Sequence, residues 1–257
     1  MTKLLPRFVV PVLMTSLFAA NVWAAPGILL AWNDCSTDGT ADKANTCTAN
    51  TGSQTLVASF IPPAGVNAYV GMNAVIDITS ASGTIPAWWD LAVGGCRANR
   101  VSSSADFTTA TGHCIDFFGG NASGGMNYST VIDTTGGHDT QASAPLTNHA
   151  RIKVIFAVPE GSAAALDAST EYYAFKCTVS NLQTSGGGSC AGCSTAMCLV
   201  MNQLNIGQPA PIPDIPLTNT PGGVAPPMIT FQGGAGASCA SVPVRNKTWG
   251  QIKSLYH

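Results

Sequence analysis

The segment ARIKVIFAV, residues Ala150–Val158, alternates two kinds of side chain along the chain. The residues at positions 152, 154, 156 and 158 are apolar, whereas Arg151 and Lys153, on either side of position 152, are charged. Successive side chains of a β-strand point to opposite faces of a sheet. The alternation therefore predicts a strand with one face in a core and the other toward solvent.

Eight further segments have the length and composition of strands, and clusters of Gly, Ser, Thr, Asn and Pro separate them. The intervening sequence lacks the periodicity of a long amphipathic helix. The pattern predicts an all-β chain, folded as a two-sheet antiparallel β-sandwich or jelly roll of about nine strands and stapled by disulfides. The eight segments are Gly27–Asn33, Gln54–Phe60, Met72–Thr79, Trp88–Val93, His113–Phe118, Glu171–Ser180, Ala196–Ile206 and Met228–Gln232.

The first 24 residues have the composition of a signal peptide. Lys3 and Arg7 precede the apolar stretch Phe8–Ala20, and small residues favour cleavage after Ala24. The stretch is too short to span a bilayer, and no later stretch approaches the ~20 apolar residues that a span needs. We expect a secreted, extracellular or cell-surface protein with no membrane insertion after signal removal.

The mature chain is expected to divide into three parts. Residues 25–207 form the β-sandwich domain, residues 208–227 are a proline-rich extended segment, and residues 228–257 hold the last strand and a C-terminal tail. The polar stretch Gly119–Asn148, with a short possible strand at Ser129–Ile132, has the length of a functional loop. In the tail, apolar residues at positions 249, 252 and 256 share one helical face. The tail is either docked on the core or a recognition tag for surface attachment.

Charge excludes two classes of partner. Charged residues are 9% of the chain, with 11 basic and 13 acidic residues. Loss of Lys3 and Arg7 with the signal peptide leaves a net charge of about −4. A weakly acidic chain with no basic patch indicates that neither nucleic acid nor an anionic membrane is the partner.

Nine cysteines follow the predicted cleavage site, and in an exported chain they indicate disulfides. Proximity along the chain favours the pairs Cys35–Cys47 and Cys96–Cys114. Two more bridges would come from the remaining cluster and the C-terminal cysteine, and Cys177, on the apolar face of a predicted strand, is the candidate free thiol. The eight candidates for disulfides are Cys35, Cys47, Cys96, Cys114, Cys190, Cys193, Cys198 and Cys239.

The run Trp88-Trp89-Asp90 is the candidate ligand-binding feature. On a strand, adjacent residues face opposite ways, so one indole would enter the core while the other faced outward. An exposed indole can stack on a sugar ring or fill a partner's pocket. The alternative is that both indoles are buried.

Asp34, Asp38 and Asp42 recur every four residues and are a candidate structural calcium site. Their spacing differs from that of an EF-hand, and a polar turn is the alternative. No other cofactor is indicated. Three cysteines at 190, 193 and 198 lack the partners of a zinc site.

Catalytic motifs are not found in the sequence. It lacks the G-x-S-x-G, H-E-x-x-H and P-loop patterns. A glycosidase would need two carboxylates across the scissile bond, for which Asp90 and Asp116 are the best candidates, with His113 or His138-Asp139 as acid–base partners. Turn and edge carboxylates are the alternative interpretation.

Four stretches resemble sequences of uncharacterised secreted bacterial proteins: GILLAWNDC from Gly27, IPAWW from Ile85, EYYAF from Glu171, and the tail pattern T-W-G-x-x-K-x-x-Y from Thr248. The strand order is also loosely similar to that of cohesin-like β-sandwiches, which present a sheet face to partner modules. The first resemblance implies no function, and the second implies a sandwich fold.

The sequence thus favours a secreted, non-catalytic β-sandwich that binds an extracellular glycan or protein. Its contact surface would be a sheet face or rim near Trp88, Trp89 and the Gly119–Asn148 stretch. One alternative is a structural subunit of an extracellular layer or filament that self-assembles through strand edges. A second alternative is a secreted carbohydrate-active hydrolase.

Overall fold

The computed structural model describes residues 25–130, 147–218, 227–237 and 239. These residues form eleven strands and four single-turn 3-10 helices, the latter at Ser36–Asp38, Ala87–Trp89, Glu160–Ser162 and Gln232–Gly234. The strands are β1 Gly27–Trp32, β2 Asp42–Lys43, β3 Ser53–Ile61, β4 Gly71–Ser80, β5 Val101–Ser104, β6 Ser123–Ser129, β7 His149–Ala157, β8 Tyr172–Ser180, β9 Met197–Gly207, β10 Ile215–Thr218 and β11 Met228–Phe231.

The strands build two sheets, which confirms the predicted all-β sandwich. The four-stranded sheet has the order β1-β3-β8-β5 and is antiparallel throughout. The seven-stranded sheet has the order β2-β11-β9-β4-β7-β6, with β10 also pairing with β9. Its pairs are antiparallel except for the short parallel pair of β2 and β11. No helix within these described ranges is long and apolar enough to cross a membrane.

The core lies between the two sheets and is built by the alternation seen in the sequence. Leu56 and Phe175 of the four-stranded sheet are fully buried, as are Ile76 and Ile152 of the seven-stranded sheet. Burying such side chains stabilises the fold by about 1.5–3 kcal/mol each. Within β7, the outward residues at positions 153 and 155 are exposed while their neighbours are buried. The outward face of β7 therefore accepts exposed side chains, whereas Val57 of β3 and Tyr173 of β8 pack with Phe107 and the Cys35–Cys114 disulfide in a second buried cluster.

Two of the predicted strands are wrong. The segment Trp88–Val93 begins inside the 3-10 helix Ala87–Trp89, which follows Pro86 in an extended conformation. The segment His113–Phe118 makes only an isolated bridge, between Ile115 and Tyr172. Both segments contribute buried apolar residues to the core, among them Trp88, Trp89 and Phe118, and composition alone does not distinguish such a segment from a strand.

Four strands are absent from the prediction because they are short or polar: β2, β5, β6 and β10. The strand β6, at Ser123–Ser129, ends where the possible strand Ser129–Ile132 was expected to begin. The described part of the proline-rich segment 208–227 includes β10, which pairs with β9. The signal peptide, His138-Asp139 and the tail helix lie outside the described residues.

Four disulfides join Cys35–Cys114, Cys47–Cys193, Cys96–Cys190 and Cys198–Cys239, and Cys177 is a buried free cysteine. The expected pairs of near neighbours are wrong, because the bridges join residues 79, 146, 94 and 41 positions apart. The fold brings distant loops together at the sheet ends, so spatial proximity overrides sequence proximity. Long closed loops also give a larger loss of unfolded-state entropy. Four disulfides indicate an oxidising environment such as the extracellular space.

Candidate functional site

The outer face of the seven-stranded sheet carries a groove of about 590 Å³. We call it the amide groove, because amide side chains line much of it. It lies across β9, β4, β7 and β6, on the side opposite to the core. Its outward-facing residues are Asn73, Val75, Gly125, Asn127, Lys153, Ile155, Gln203 and Asn205.

Strand register arranges these residues in two rows across the sheet. One row contains Asn205, Asn73, Ile155 and Gly125 on successive strands. The other row, two residues along each strand, contains Gln203, Val75, Lys153 and Asn127. Directly opposite residues of an antiparallel pair are ~4.5–5.5 Å apart between Cα atoms. The register therefore places polar and apolar side chains side by side in one surface.

The amides of the groove form a directed hydrogen-bond relay. Gln203 Nε2 donates to Asn205 Oδ1 at 2.8 Å, and Asn205 Nδ2 donates to Asn73 Oδ1 at 2.8 Å. Asn73 Nδ2 lies at the end of the relay. Among the described residues it has no acceptor, and neither Asn127 nor Lys153 has a hydrogen-bond partner there. Hydrogen-bonding capacity thus remains for a ligand.

A buried ion pair borders one end of the groove. Arg151 Nε and Nη2 donate to the two carboxylate oxygens of Asp77 at 2.6 and 2.9 Å, and Asn202 also donates to that carboxylate. A β-bulge at Val75/Ile76 places Asn202 there. Asp77 is 3% exposed. Its charge is therefore balanced by the protein and is not presented to the solvent.

Groove shape at its β6 end depends on two adjacent glycines. A Cβ on Gly124 would lie 1.9 Å from the carbonyl oxygen of Ile155, so β6 approaches β7 too closely there for any larger residue. A Cβ on Gly125 would meet no atom within 4 Å. Gly125 therefore leaves open space beside Ile155, whose side chain is 59% exposed.

The expected exposed indole is not found, because Trp88 and Trp89 are both buried. Trp88 stacks on Phe231 with ring centroids 5.5 Å apart, and the Arg97 guanidinium lies 3.8 Å above its other face. The hypothesis that one of them, with Asp90, forms a ligand surface is therefore wrong for the indoles. The single 3-10 turn directs both rings inward, whereas a strand would direct them to opposite faces.

The three aspartates of the calcium hypothesis have separate partners. Asp34 Oδ1 accepts from Tyr173 Oη at 2.5 Å, and Asp42 Oδ1 accepts from the Gly233 amide at 2.9 Å. Asp38 Oδ2 accepts from the backbone N–H of His113 at 2.7 Å. Asp34 and Asp38 lie beside Gly112 and His113, whereas Asp42 faces Gly233, so the described structure does not gather the three carboxylates into one cation site.

Asp38, His113 and Glu171 form a clasp between loops. His113 Nδ1 lies 2.6 Å from Asp38 Oδ2, and Nε2 lies 3.1 Å from Glu171 Oε2, whose other oxygen accepts from the buried Ser59 hydroxyl. The hydrogen bond to Asp38 raises the pKa of His113, and the backbone N–H of His113 lowers the pKa of Asp38. Only the imidazolium can donate at both nitrogens.

This clasp is poorly suited to metal binding. The carboxylates lie at opposite ends of the imidazole ring, so the three groups cannot share one ion. The neighbouring sulfurs of Cys35 and Cys114, within 4.8 Å of the other ligand atoms, are joined in a disulfide and offer no thiolate.

The other acidic candidates also have structural partners. Asp116 accepts from the backbone N–H groups of Phe107, Phe118 and Gly119. It therefore holds a loop and does not face His113. Cys190, Cys193 and Cys198 each bond to a different distant cysteine, which leaves no three-thiolate zinc site.

The amide groove was missed from the sequence. Alternation along β4 and β7 does show which residues face outward, and Lys153 was among them. It does not show that Asn73, Lys153 and Gln203 meet, because their contact depends on the register of three strands distant in sequence.

Comparisons of the sequence with models of protein families and with curated proteins give no match.

Proposed function

We propose that the chain is a secreted, non-catalytic binding protein that holds an extracellular polymer in the amide groove. The observation that carries this proposal is that, among the described residues, Asn73 Nδ2 and the side chains of Asn127 and Lys153 have no hydrogen-bond partner, in an open groove with apolar Val75 and Ile155. A concave site with apolar walls and a few convergent polar groups is the usual form of a ligand site.

The positions of the carboxylates favour binding over hydrolysis. Glycoside hydrolysis needs a carboxylic acid and a carboxylate facing one scissile bond. The carboxylates of Asp38, Asp77 and Asp116 each accept hydrogen bonds from the protein itself. Among the described residues, the carboxylate at the border of the amide groove is that of Asp77, and it is buried against Arg151.

Secretion is supported by two independent features. Residues 1–24 have the pattern of a signal peptide, and four disulfides suit an oxidising compartment. The extracellular ligand is therefore a glycan or a protein.

The test uses one substitution that narrows the groove at a position where the added Cβ meets no atom within 4 Å. Gly125→Val adds a β-branched side chain to strand β6 in open space. Gly187→Val, at another glycine whose Cβ would meet no atom within 4 Å, is the matched control. Retention of the purified mature protein by insoluble polysaccharides, cell-wall preparations and immobilised extracellular proteins is measured for all three proteins.

We expect at least one material to retain the wild-type and Gly187→Val proteins, and Gly125→Val to lose that retention with unchanged circular dichroism. Retention that Gly125→Val leaves intact on every material would contradict the assignment of the site. No retention of the wild type on any material would contradict the binding function.

A second candidate function is assembly into a layer or filament. It is supported by β6, which pairs with β7 and is the last strand of the described sheet. An edge strand can pair with another chain. Sedimentation velocity across a concentration series tests it, since a protein that stays monomeric at every concentration has no such assembly.

A further inference from the structure

The charges around the amide groove are unequal. Lys153 and Arg151 line it, and the carboxylate of Asp77 at its border is already bound by Arg151 and Asn202. Lys153 is exposed. Within the described part of the chain Lys153 has no acidic partner, so the groove presents its positive charge, although the whole chain has a formal net charge of −2.

The free hydrogen-bonding groups of the groove include donors that suit an anionic ligand. The relay from Gln203 through Asn205 ends on Asn73, which leaves the Asn73 Nδ2 donor facing outward. Asn73 and Lys153 lie on neighbouring strands, in adjacent rows. A cationic donor beside an amide donor favours a carboxylate, because hydrogen bonds from a charged donor to a carboxylate are the stronger ones.

We propose that the ligand of the amide groove is a polyuronic acid, a polysaccharide whose sugar carboxylates pair with Lys153 while its hydroxyls bond the surrounding amides. This inference rests on the proposed binding function and specifies its ligand. Amides offer both a donor and an acceptor, as sugar hydroxyls do. Val75 and Ile155, one on each row, provide apolar contacts for the C–H faces of the rings.

A glycan fits this surface better than an acidic peptide does. The groove lies on the face of the sheet, where the main-chain groups of β4, β7 and β9 are already used in ladders to their neighbours. An extended peptide usually binds by adding its own main chain to a strand edge. On this face only side chains are offered, and a hydroxyl-rich chain can use them without leaving main-chain groups unpaired.

A second groove, of about 470 Å³, lies on the outer face of the four-stranded sheet and supplies the control. It is lined by Thr55, Phe107, Thr178 and Lys176, among others, and the Lys176 ammonium lies 5.1 Å from the Phe107 ring centroid. Lys176→Gln removes the same charge from the opposite face. It is therefore a matched partner for Lys153→Gln.

The experiment compares polygalacturonate with its fully methyl-esterified form, which keeps the backbone and loses the charge. Isothermal titration is done with the wild-type mature protein, Lys153→Gln, Lys153→Arg and Lys176→Gln. We expect the wild type to prefer the acidic polymer, with an affinity that falls as salt rises. We expect Lys153→Gln to weaken binding of the acidic polymer about three- to fivefold, the range of one partly exposed charge pair. Lys153→Arg should restore most of the affinity, and Lys176→Gln should have no effect.

Three results would overturn the inference. If the wild type binds the acidic and esterified polymers with equal affinity and Gly125→Val binds neither, the groove is a binding site that does not recognise a carboxylate. A loss in Lys176→Gln and not in Lys153→Gln would move the ligand to the other face. If poly-glutamate binds as tightly as polygalacturonate, the ligand is an acidic protein segment and not a glycan.

Failure of the binding function has a different signature. In that case neither polymer nor any material of the retention panel binds the wild type, whereas failure of the inference alone leaves retention of another ligand that Gly125→Val abolishes.

Discussion

Replacement of Trp88 by alanine should strongly lower the stability of the fold and not merely weaken a ligand contact. The Trp88 side chain is fully buried between Phe231 and the Arg97 guanidinium, and its Nε1 donates to Thr184 Oγ1 at 2.9 Å. Removing a buried Trp or Phe side chain costs about 3–5 kcal/mol through lost transfer energy and the cavity left behind.

Two further contacts add to this cost. The lost hydrogen bond leaves the buried Thr184 hydroxyl without its donor, at a cost of about 1 kcal/mol. The lost cation–π contact with Arg97 costs about 1–2 kcal/mol, since both groups are buried. We therefore expect Trp88→Ala to lower the free energy of unfolding by about 5–8 kcal/mol, a large share of the ~5–15 kcal/mol of a typical domain.

The assay is equilibrium unfolding in guanidinium chloride with the disulfides intact, followed by circular dichroism. Trp88→Phe is the control, because phenylalanine keeps a ring between Phe231 and Arg97 and loses mainly the hydrogen bond. It should cost about 1–2 kcal/mol. A Trp88→Ala protein that loses less than about 1 kcal/mol, and that folds normally while failing to bind its ligand, would refute the burial argument and restore the indole as a contact surface.

Three other predictions concern the clasp, the free thiol and the glycine pair. Because the pKa of His113 is raised, its contribution to stability is complete below pH 6.5 and is lost as pH rises through the raised value. The lowered pKa of Asp38 causes a loss of stability only as pH falls below 3.8. The free energy of unfolding should therefore fall above pH 6.5, and His113→Gln should flatten that fall. Burial raises the pKa of the Cys177 thiol to about 12, so a thiol-specific reagent should label Cys177 only after unfolding, and labelling of the native protein would contradict its burial. Gly124→Ala should lower the melting temperature, because contact of the new Cβ with the β7 main chain costs about 1–3 kcal/mol. Gly125→Ala should change the free energy of unfolding by less than about 1 kcal/mol. Equal effects of the two variants would refute the close approach of β6 to β7 at Gly124.

Several parts of the structure follow from local sequence. The alternation in ARIKVIFAV predicts both the strand β7 and which of its side chains enter the core, because side-chain direction on a strand depends only on position along it. The same rule locates most of the long strands. Short or polar strands such as β5 and β6 lack this signal, since their pairing is stabilised by neighbours and not by their own apolar residues.

The run Trp88-Trp89 shows where local reasoning fails. A strand and a 3-10 turn place two adjacent side chains differently, and the choice between them depends on Phe231 and Arg97, which receive the Trp88 ring. Composition identifies the large apolar surface of the indoles. It does not identify the residues that bury it, because those come from distant parts of the chain.

The all-β class and the alternation that separates core from surface are encoded locally, since both depend on side chains a few residues apart. The four disulfide pairs and the amide groove depend on the folded chain. Cys47 meets Cys193, and Asn73 meets Asn205, across separations that no local pattern encodes. The physical reason is that strand register, and with it every contact between outward side chains, is set by the packing of the whole sandwich.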